Sequence, residues 1–150
     1  MRTWLVAAAM FWPALLAAAT VERIRGEAPA FTTAIYLTAS RVCHQRPERS
    51  FHTQAVTWPV CARCSGLYLS APAGALFALV ARRRRARLAP RRIRQVLVLA
   101  ALPTLVTLAL EWSGALTVTN LWRALAALPL GAAVAWAITA VAPGPSEPIR

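Results

Sequence analysis

The sequence predicts an all-α, polytopic membrane protein with four transmembrane helices, a short interfacial helix and a Cys/His loop on the extracytoplasmic face. Two observations lead to this prediction. Hydrophobic residues make up 58% of the 150 residues, well above the roughly 45–50% that is usual in soluble domains. The chain also contains four apolar segments that reach the roughly 17–25 residues a helix needs to cross a bilayer. Its length predicts a single domain.

The four predicted spans are almost free of charge. The first two contain no charged residue, the third has Glu111 near its end, and the fourth has Arg123 near its start. The first span also resembles a signal peptide with a small-residue cleavage site at 17–19. Because Arg2 alone gives a thin basic region, we favour an uncleaved helix. The spans cover residues 3–21, 64–81, 95–112 and 121–141.

Proline and glycine inside these segments are compatible with helices in a membrane. Each predicted span contains a proline, which is tolerated where neighbouring helices satisfy the freed carbonyl group. Small residues let two helix backbones approach closely. We therefore expect close-packing points between helices at four glycines, namely Gly66, Gly74, Gly114 and Gly131.

A shorter apolar segment precedes the second span. Residues 28–42 are only 15 long, which is too short for a typical span. Phe31, Ile35, Thr38 and Val42 fall on one helical face. We expect a helix that lies over the bundle at the membrane interface.

The arginines predict the orientation. The chain has 17 basic residues, all arginine, and eight of them lie within 82–94, between two spans. Short basic loops stay in the cytoplasm, so loop 82–94 should be cytoplasmic. Loop 22–63 is then extracytoplasmic, with both termini inside, in a bacterial inner membrane. We therefore attribute the net charge of +12 to a basic loop beside the membrane. The expected partner is the lipid bilayer, and no binding of nucleic acid is expected.

The residues that can carry chemistry are concentrated in this outer loop. All three cysteines and both histidines of the chain lie within 22 residues, at Cys43, His44, His52, Cys61 and Cys64. Three thiolates and one imidazole would make the closed tetrahedral site that structural zinc prefers. His44 adjoins Cys43 and would be cramped as a second ligand, so His52 is sterically easier. If only three side chains bind, water takes the fourth position and a catalytic metal becomes feasible.

Two other functions fit the same residues. The Cys61–Cys64 spacing is that of a reactive dithiol, and an extracytoplasmic location permits disulfides. A thiol-disulfide membrane oxidoreductase usually needs a second cysteine pair, whereas this chain offers only Cys43 as a resolving thiol. The third hypothesis is a membrane scaffold or partner subunit, in which the cysteines only hold the outer loop in place. Whether the protein is an enzyme stays open.

Several polar residues should surround the cysteines as supporting residues. Glu111, Asn120 and Arg123 end or begin spans on the predicted extracytoplasmic side. Ionisable groups in a span tend to pair or to serve a site, so Glu111 and Arg123 could brace the Cys/His loop. Snorkelling toward the headgroups explains them equally well. Arg49 and Arg63 either bind an anionic lipid or substrate, or brace the loop.

Two strings resemble a known family. They are C-H-Q-x-P-E-R-S-F, from Cys43, and C-A-R-C-S-G-L-Y-L, from Cys61. Together they resemble domain-of-unknown-function family 2085, a set of small predicted bacterial membrane proteins. The later Asn120, Arg123 and Gly131 are similar to its closing pattern, so the resemblance covers about residues 31–135. It implies an integral membrane protein of unassigned activity.

Overall fold

The computed structural model describes residues 2–81 and 89–142. Helices account for 77% of the structure, so the predicted all-α class is confirmed. A β-hairpin and a 3₁₀ turn at Pro47–Arg49 separate the second and third helices. The helices are α1 Arg2–Arg25, α2 Pro29–Ser40, α3 Ala62–Ala81, α4 Pro90–Trp112 and α5 Asn120–Val141, and the strands are β1 Ser50–Thr53 and β2 Val56–Cys61.

Four of these helices confirm the predicted number of spans. α1, α3, α4 and α5 are each long and apolar enough to cross a membrane. α1 and α4 extend beyond the predicted spans, because their additional turns carry arginines that hydropathy excludes but that are good helix formers. α2 occupies the segment that was predicted to be interfacial. Of the predicted cytoplasmic loop 82–94, residues 82–88 lie outside the described residues, as does the tail 143–150.

The β-hairpin was not expected from the sequence. β1 and β2 are antiparallel, with Thr53 paired to Val56 across a two-residue loop. Both loop residues, Gln54 and Ala55, have positive φ angles of 48° and 65°. Such a turn matches the twist of the strands, but it usually contains Asn-Gly. The sequence has no Asn-Gly at this turn, so the hairpin was not predicted.

Small residues form the interface between α3 and α5, the most extensive helix pair in the structure. A Cβ atom on Gly66 or Gly74 would overlap the backbone carbonyl groups of Ala124 and Ala132. A Cβ on Gly131 of α5 would likewise overlap the backbone of α3. Close approach of the two backbones therefore requires glycine at these three positions, as the sequence predicts.

Gly114 has a different role, and its predicted place at a helix interface is wrong. It lies just beyond the end of α4 with φ +71°, and a Cβ there would meet nothing within 4 Å. Its N–H donates a hydrogen bond of 3.2 Å to the carbonyl of Glu111. A left-handed residue that ends a helix is most often glycine, because glycine has no Cβ to clash.

The remaining contacts place the hairpin at one end of the bundle. α4 lies along α5, where the Thr104 hydroxyl donates a 2.8 Å hydrogen bond to the carbonyl of Ala126. α1 contacts α3, α2 and β2. The hairpin and α2 consequently lie where α1 and α4 end and where α3 and α5 begin, and this end carries all three cysteines.

Candidate metal centre

Three separate segments bring the cysteines together. Cys43 follows α2, Cys61 ends β2, and Cys64 lies in the first turn of α3. Their Sγ atoms lie within 4.8 Å of one another, and they are the only such group of potential metal ligands among the described residues. Cys43 is only 6% exposed and packs against Leu16 and Val60. The hairpin thus brings Cys61 next to Cys43, which lies 18 positions earlier in the chain.

Hydrogen bonds favour the thiolate form at this cluster. The N–H of Cys61 donates a 3.1 Å hydrogen bond to Sγ of Cys43. The pKa of Cys61 is lowered to about 5, mainly because the thiol of Cys64 donates a hydrogen bond to its sulfur. Backbone N–H groups of Cys64 and Arg63 lower this pKa further, while burial opposes the shift. Hydrogen bonds to the charged form stabilise it, so they favour the thiolate form of Cys61.

The lowered pKa predicts the alkylation behaviour of the metal-free protein. Only the thiolate reacts with iodoacetamide. Alkylation of Cys61 should therefore stay fast from pH 8 down to about pH 6 and fall to half its rate near pH 5. Mass spectrometry of the modified chain checks this, with Cys64→Ala as the variant that removes the main hydrogen-bond donor. A half-point near pH 8–9 in the unsubstituted protein would contradict the hydrogen-bonded arrangement.

Gln45 holds the loop that carries Cys43, a role that sequence reasoning missed. Its side-chain amide donates two 2.8 Å hydrogen bonds, to the carbonyls of Tyr36 and Pro59. The hydroxyl of Tyr36 in turn donates a 2.7 Å bond to the carbonyl of Thr57. These bonds connect α2 to β2 and fix the position of Cys43. The only signal in the sequence was the place of Gln45 in the Cys-His-Gln string.

The two histidines lie apart from the sulfur cluster. His44 and His52 are both exposed, and neither belongs to the group of converging ligand atoms. His52 lies in β1 opposite Thr57, on the exposed part of the hairpin. The structure therefore brings together three of the five predicted ligands.

A charged network lies beside the cluster. Glu111 at the end of α4 accepts a 2.8 Å hydrogen bond from Nη2 of Arg63 and a 2.6 Å bond from Nε of Arg123. Arg123 also donates to Oδ1 of Asn120 at 2.6 Å, and Asn120 donates to the carbonyl of Ser50 at 2.9 Å. The pairing of Glu111 with Arg123 that the sequence suggested is present, and Arg63 joins it from between Cys61 and Cys64.

The last predicted supporting residue is placed differently. Arg49 lies in the 3₁₀ turn and is half-buried. Within the described parts of the chain, its side chain forms no ion pair. The turn itself is anchored next to it, where the carbonyl of Glu48 accepts a 3.4 Å hydrogen bond from Arg123.

The sulfur positions fit a tetrahedral metal ion. Zinc–sulfur bonds of about 2.3 Å place two sulfurs in a tetrahedron about 3.8 Å apart. The separations in this cluster, all within 4.8 Å, require a closure of about 1 Å or less. Soft thiolate ligands select zinc or another thiophilic metal over magnesium or calcium. A tetrahedral ion held by these three cysteines would have one coordination position left for a fourth ligand.

The fold and the site together define a multi-pass α-helical membrane protein with a three-cysteine cluster at one end of the bundle. The chain belongs to the family described as "Predicted membrane protein (DUF2085)", whose model matches residues 43–137. It is also similar to an uncharacterized protein of Methanothermobacter thermautotrophicus, at 50% identity over 30 residues. That match covers 20% of this chain and 27% of the relative, so the chain spans about a quarter of the relative's length. The relative is archaeal, and a bacterial source stays a prediction.

No solved structure matches this chain. The family description gives the location in a membrane and no activity. The cysteine cluster and the charged network are therefore the features of the molecule that bear on its function. Both lie within the matched region, since the matched residues begin at Cys43 and extend beyond Arg123.

Proposed function

We propose that Cys43, Cys61 and Cys64 bind one zinc ion at the end of the membrane bundle. The observation that carries this proposal is the presence of a third sulfur. A dithiol needs only Cys61 and Cys64, whereas Cys43 is buried and held by a hydrogen bond from the N–H of Cys61. Three converging sulfurs, two of which accept amide hydrogen bonds, suit a metal better than they suit thiol exchange with a partner.

The proposed role of the ion is structural. It would connect the segment after α2 to the hairpin and to the start of α3, which are otherwise joined by a few hydrogen bonds and a small apolar core. The fourth ligand is a histidine or water. Both histidines lie on exposed backbone segments, so a movement of the loop after Cys43 could bring His44 toward the ion, and His52 is the alternative.

The proposal includes an orientation. The cysteine cluster faces the extracytoplasmic side of an inner, cytoplasmic membrane, with the termini inside. Three basic residues near the start of α4 support it, because they lie at the end of the bundle opposite the cysteines; they are Arg91, Arg92 and Arg94. An alkaline phosphatase fused within loop 82–94 should be inactive, and an active fusion would invert this orientation.

Metal substitution tests the proposed site. The full chain in detergent, loaded with Co²⁺, should develop thiolate-to-metal charge-transfer absorption that Cys61→Ser abolishes. The variants His44→Asn and His52→Asn act as matched controls, because neither removes a sulfur. A spectral shift in one of them identifies the fourth ligand, and no shift in either assigns that position to water. Unchanged absorption in Cys61→Ser would exclude Cys61 as a ligand and overturn the three-sulfur site.

The low pKa of Cys61 supports thiol-disulfide exchange as a second candidate function. The Cys61 thiolate would attack a partner disulfide and form a mixed disulfide. The Cys64 thiol would then displace the partner, leaving a Cys61–Cys64 disulfide and two reduced partner thiols. Because the Cys43 sulfur lies within 4.8 Å of that of Cys61 and can also displace the partner, Cys43→Ser/Cys64→Ser should trap the mixed disulfide on a non-reducing gel. The control is the variant that also carries Cys61→Ser. If neither metal nor trapped partner is found, the scaffold hypothesis gains.

A further inference from the structure

The charged network beside the cysteines carries more positive than negative charge. Two guanidinium groups share one carboxylate, and both oxygens of Glu111 are occupied by them. The side chains of Arg63, Arg123 and Glu111 are only 16%, 14% and 6% exposed. Across residues 2–81 and 89–142, neither arginine pairs with another carboxylate. Within this arginine–carboxylate network, one positive charge in a largely buried position is therefore uncompensated, which is costly.

Helix termini add to this positive field. Arg63 lies in the first turn of α3, and Arg123 follows the N-cap Thr119 of α5 by one turn. The N-terminus of a helix carries roughly half a positive charge, which disfavours a cation and favours an anion. Two helix N-termini and two guanidinium groups converge here, against a single carboxylate at the end of α4.

One buried hydrogen-bond donor of the network also lacks a partner. Arg63 uses only Nη2, and its Nε is buried without any hydrogen-bond partner. Arg123 donates through Nε and Nη1. Buried donors in folded proteins are nearly always satisfied. The unpaired Nε of Arg63 therefore points to an acceptor that the described residues do not supply.

We propose that Arg63 and Arg123 bind a phosphate anion at this end of the bundle. The phosphate group fits because guanidinium groups and helix N-termini are its usual ligands in proteins. Since α3 and α5 begin here and α4 ends here, the site lies at the level of the lipid headgroups. The phosphate then belongs either to a phospholipid headgroup or to a free phosphate ion. This site uses no sulfur and stands independently of the zinc proposal.

Lipid binding by the full chain tests this site. The protein is purified in an uncharged maltoside detergent and titrated, by native mass spectrometry, with phosphatidylglycerol, with monogalactosyldiacylglycerol and with inorganic phosphate. The unsubstituted chain should bind phosphatidylglycerol about tenfold more tightly than Arg123→Gln, because a hydrogen bond to a charged group contributes about that factor. The matched control Arg41→Gln, an exposed arginine outside the network, should bind like the unsubstituted chain.

The outcomes distinguish the two sources of phosphate. Binding of phosphatidylglycerol that inorganic phosphate does not displace assigns a lipid headgroup, and saturable binding of inorganic phosphate alone assigns the free ion. Equal binding by Arg123→Gln and Arg41→Gln, or equal binding of the phosphate-free glycolipid, overturns the proposal. If Arg123→Gln does not fold, the thermal stability of the unsubstituted chain tests the proposal instead. It should rise with phosphatidylglycerol and not with the glycolipid, and equal shifts overturn the proposal.

Discussion

Replacing Glu111 with Gln is expected to lower the free energy of unfolding by about 3–5 kcal/mol. The substitution keeps the shape of the side chain but leaves the guanidinium groups of Arg63 and Arg123 without a carboxylate partner. Both are largely buried, with 16% and 14% of their side chains exposed. The loss arises because two unpaired, like charges then remain beside each other in a poorly solvated position.

Unfolding of the purified chain in mixed micelles with increasing denaturing detergent measures this effect. Glu48→Gln is the matched control, since Glu48 is exposed and its carboxylate forms no ion pair in the part of the chain that the structure describes. The control should change the free energy of unfolding by less than about 0.5 kcal/mol. A Glu111→Gln variant as stable as this control would show that the network does not hold the helices together.

Replacing Gly131 with Leu is expected to be the other severe change. Any Cβ at this position overlaps the backbone of Leu67 and the hydroxyl of Ser70 on α3. The backbone cannot yield as a flexible side chain can, so α3 and α5 must separate along their closest contact. Overpacking of this kind costs about 1–3 kcal/mol and sometimes more, and a backbone clash places Gly131→Leu at the upper end.

Thermal unfolding in detergent provides the measurement. Val134→Leu on the same helix is the control, because Val134 lies on an exposed part of α5 and a larger apolar side chain there meets lipid or detergent. We expect a large fall in Tm for Gly131→Leu and almost none for the control. Similar Tm values in the two variants would mean that α3 and α5 do not approach as closely as the structure indicates.

The sequence predicted the helices well because hydropathy acts over whole segments. The four spans follow from apolar length alone, and the helix after the first of them follows from a shorter apolar segment whose apolar residues share one face. Helix ends were less accurate, since the arginine-rich turns of α1 and α4 are helical but not apolar. The hairpin was missed because its turn, Gln54-Ala55, has the backbone angles but not the usual residues of such turns.

The candidate site was predictable only in part. Clustering of the cysteines followed from their spacing in the sequence, but their distances depend on the unexpected hairpin and on Gln45. The ion pair between Glu111 and Arg123 was suggested by their places at neighbouring span ends. Arg63 is 48 positions from Glu111, and no sequence pattern could reveal that its side chain reaches the same carboxylate.

Zinc content of the unsubstituted chain and of Cys43→Ser tests the central proposal most directly. Cys43 lies outside the Cys61–Cys64 pair, so the two functional hypotheses make opposite predictions for it. A three-sulfur zinc site predicts about one zinc per purified chain and almost none in Cys43→Ser. A zinc-free unsubstituted chain, whose Cys61 and Cys64 become alkylatable only after reduction in both proteins, would contradict it.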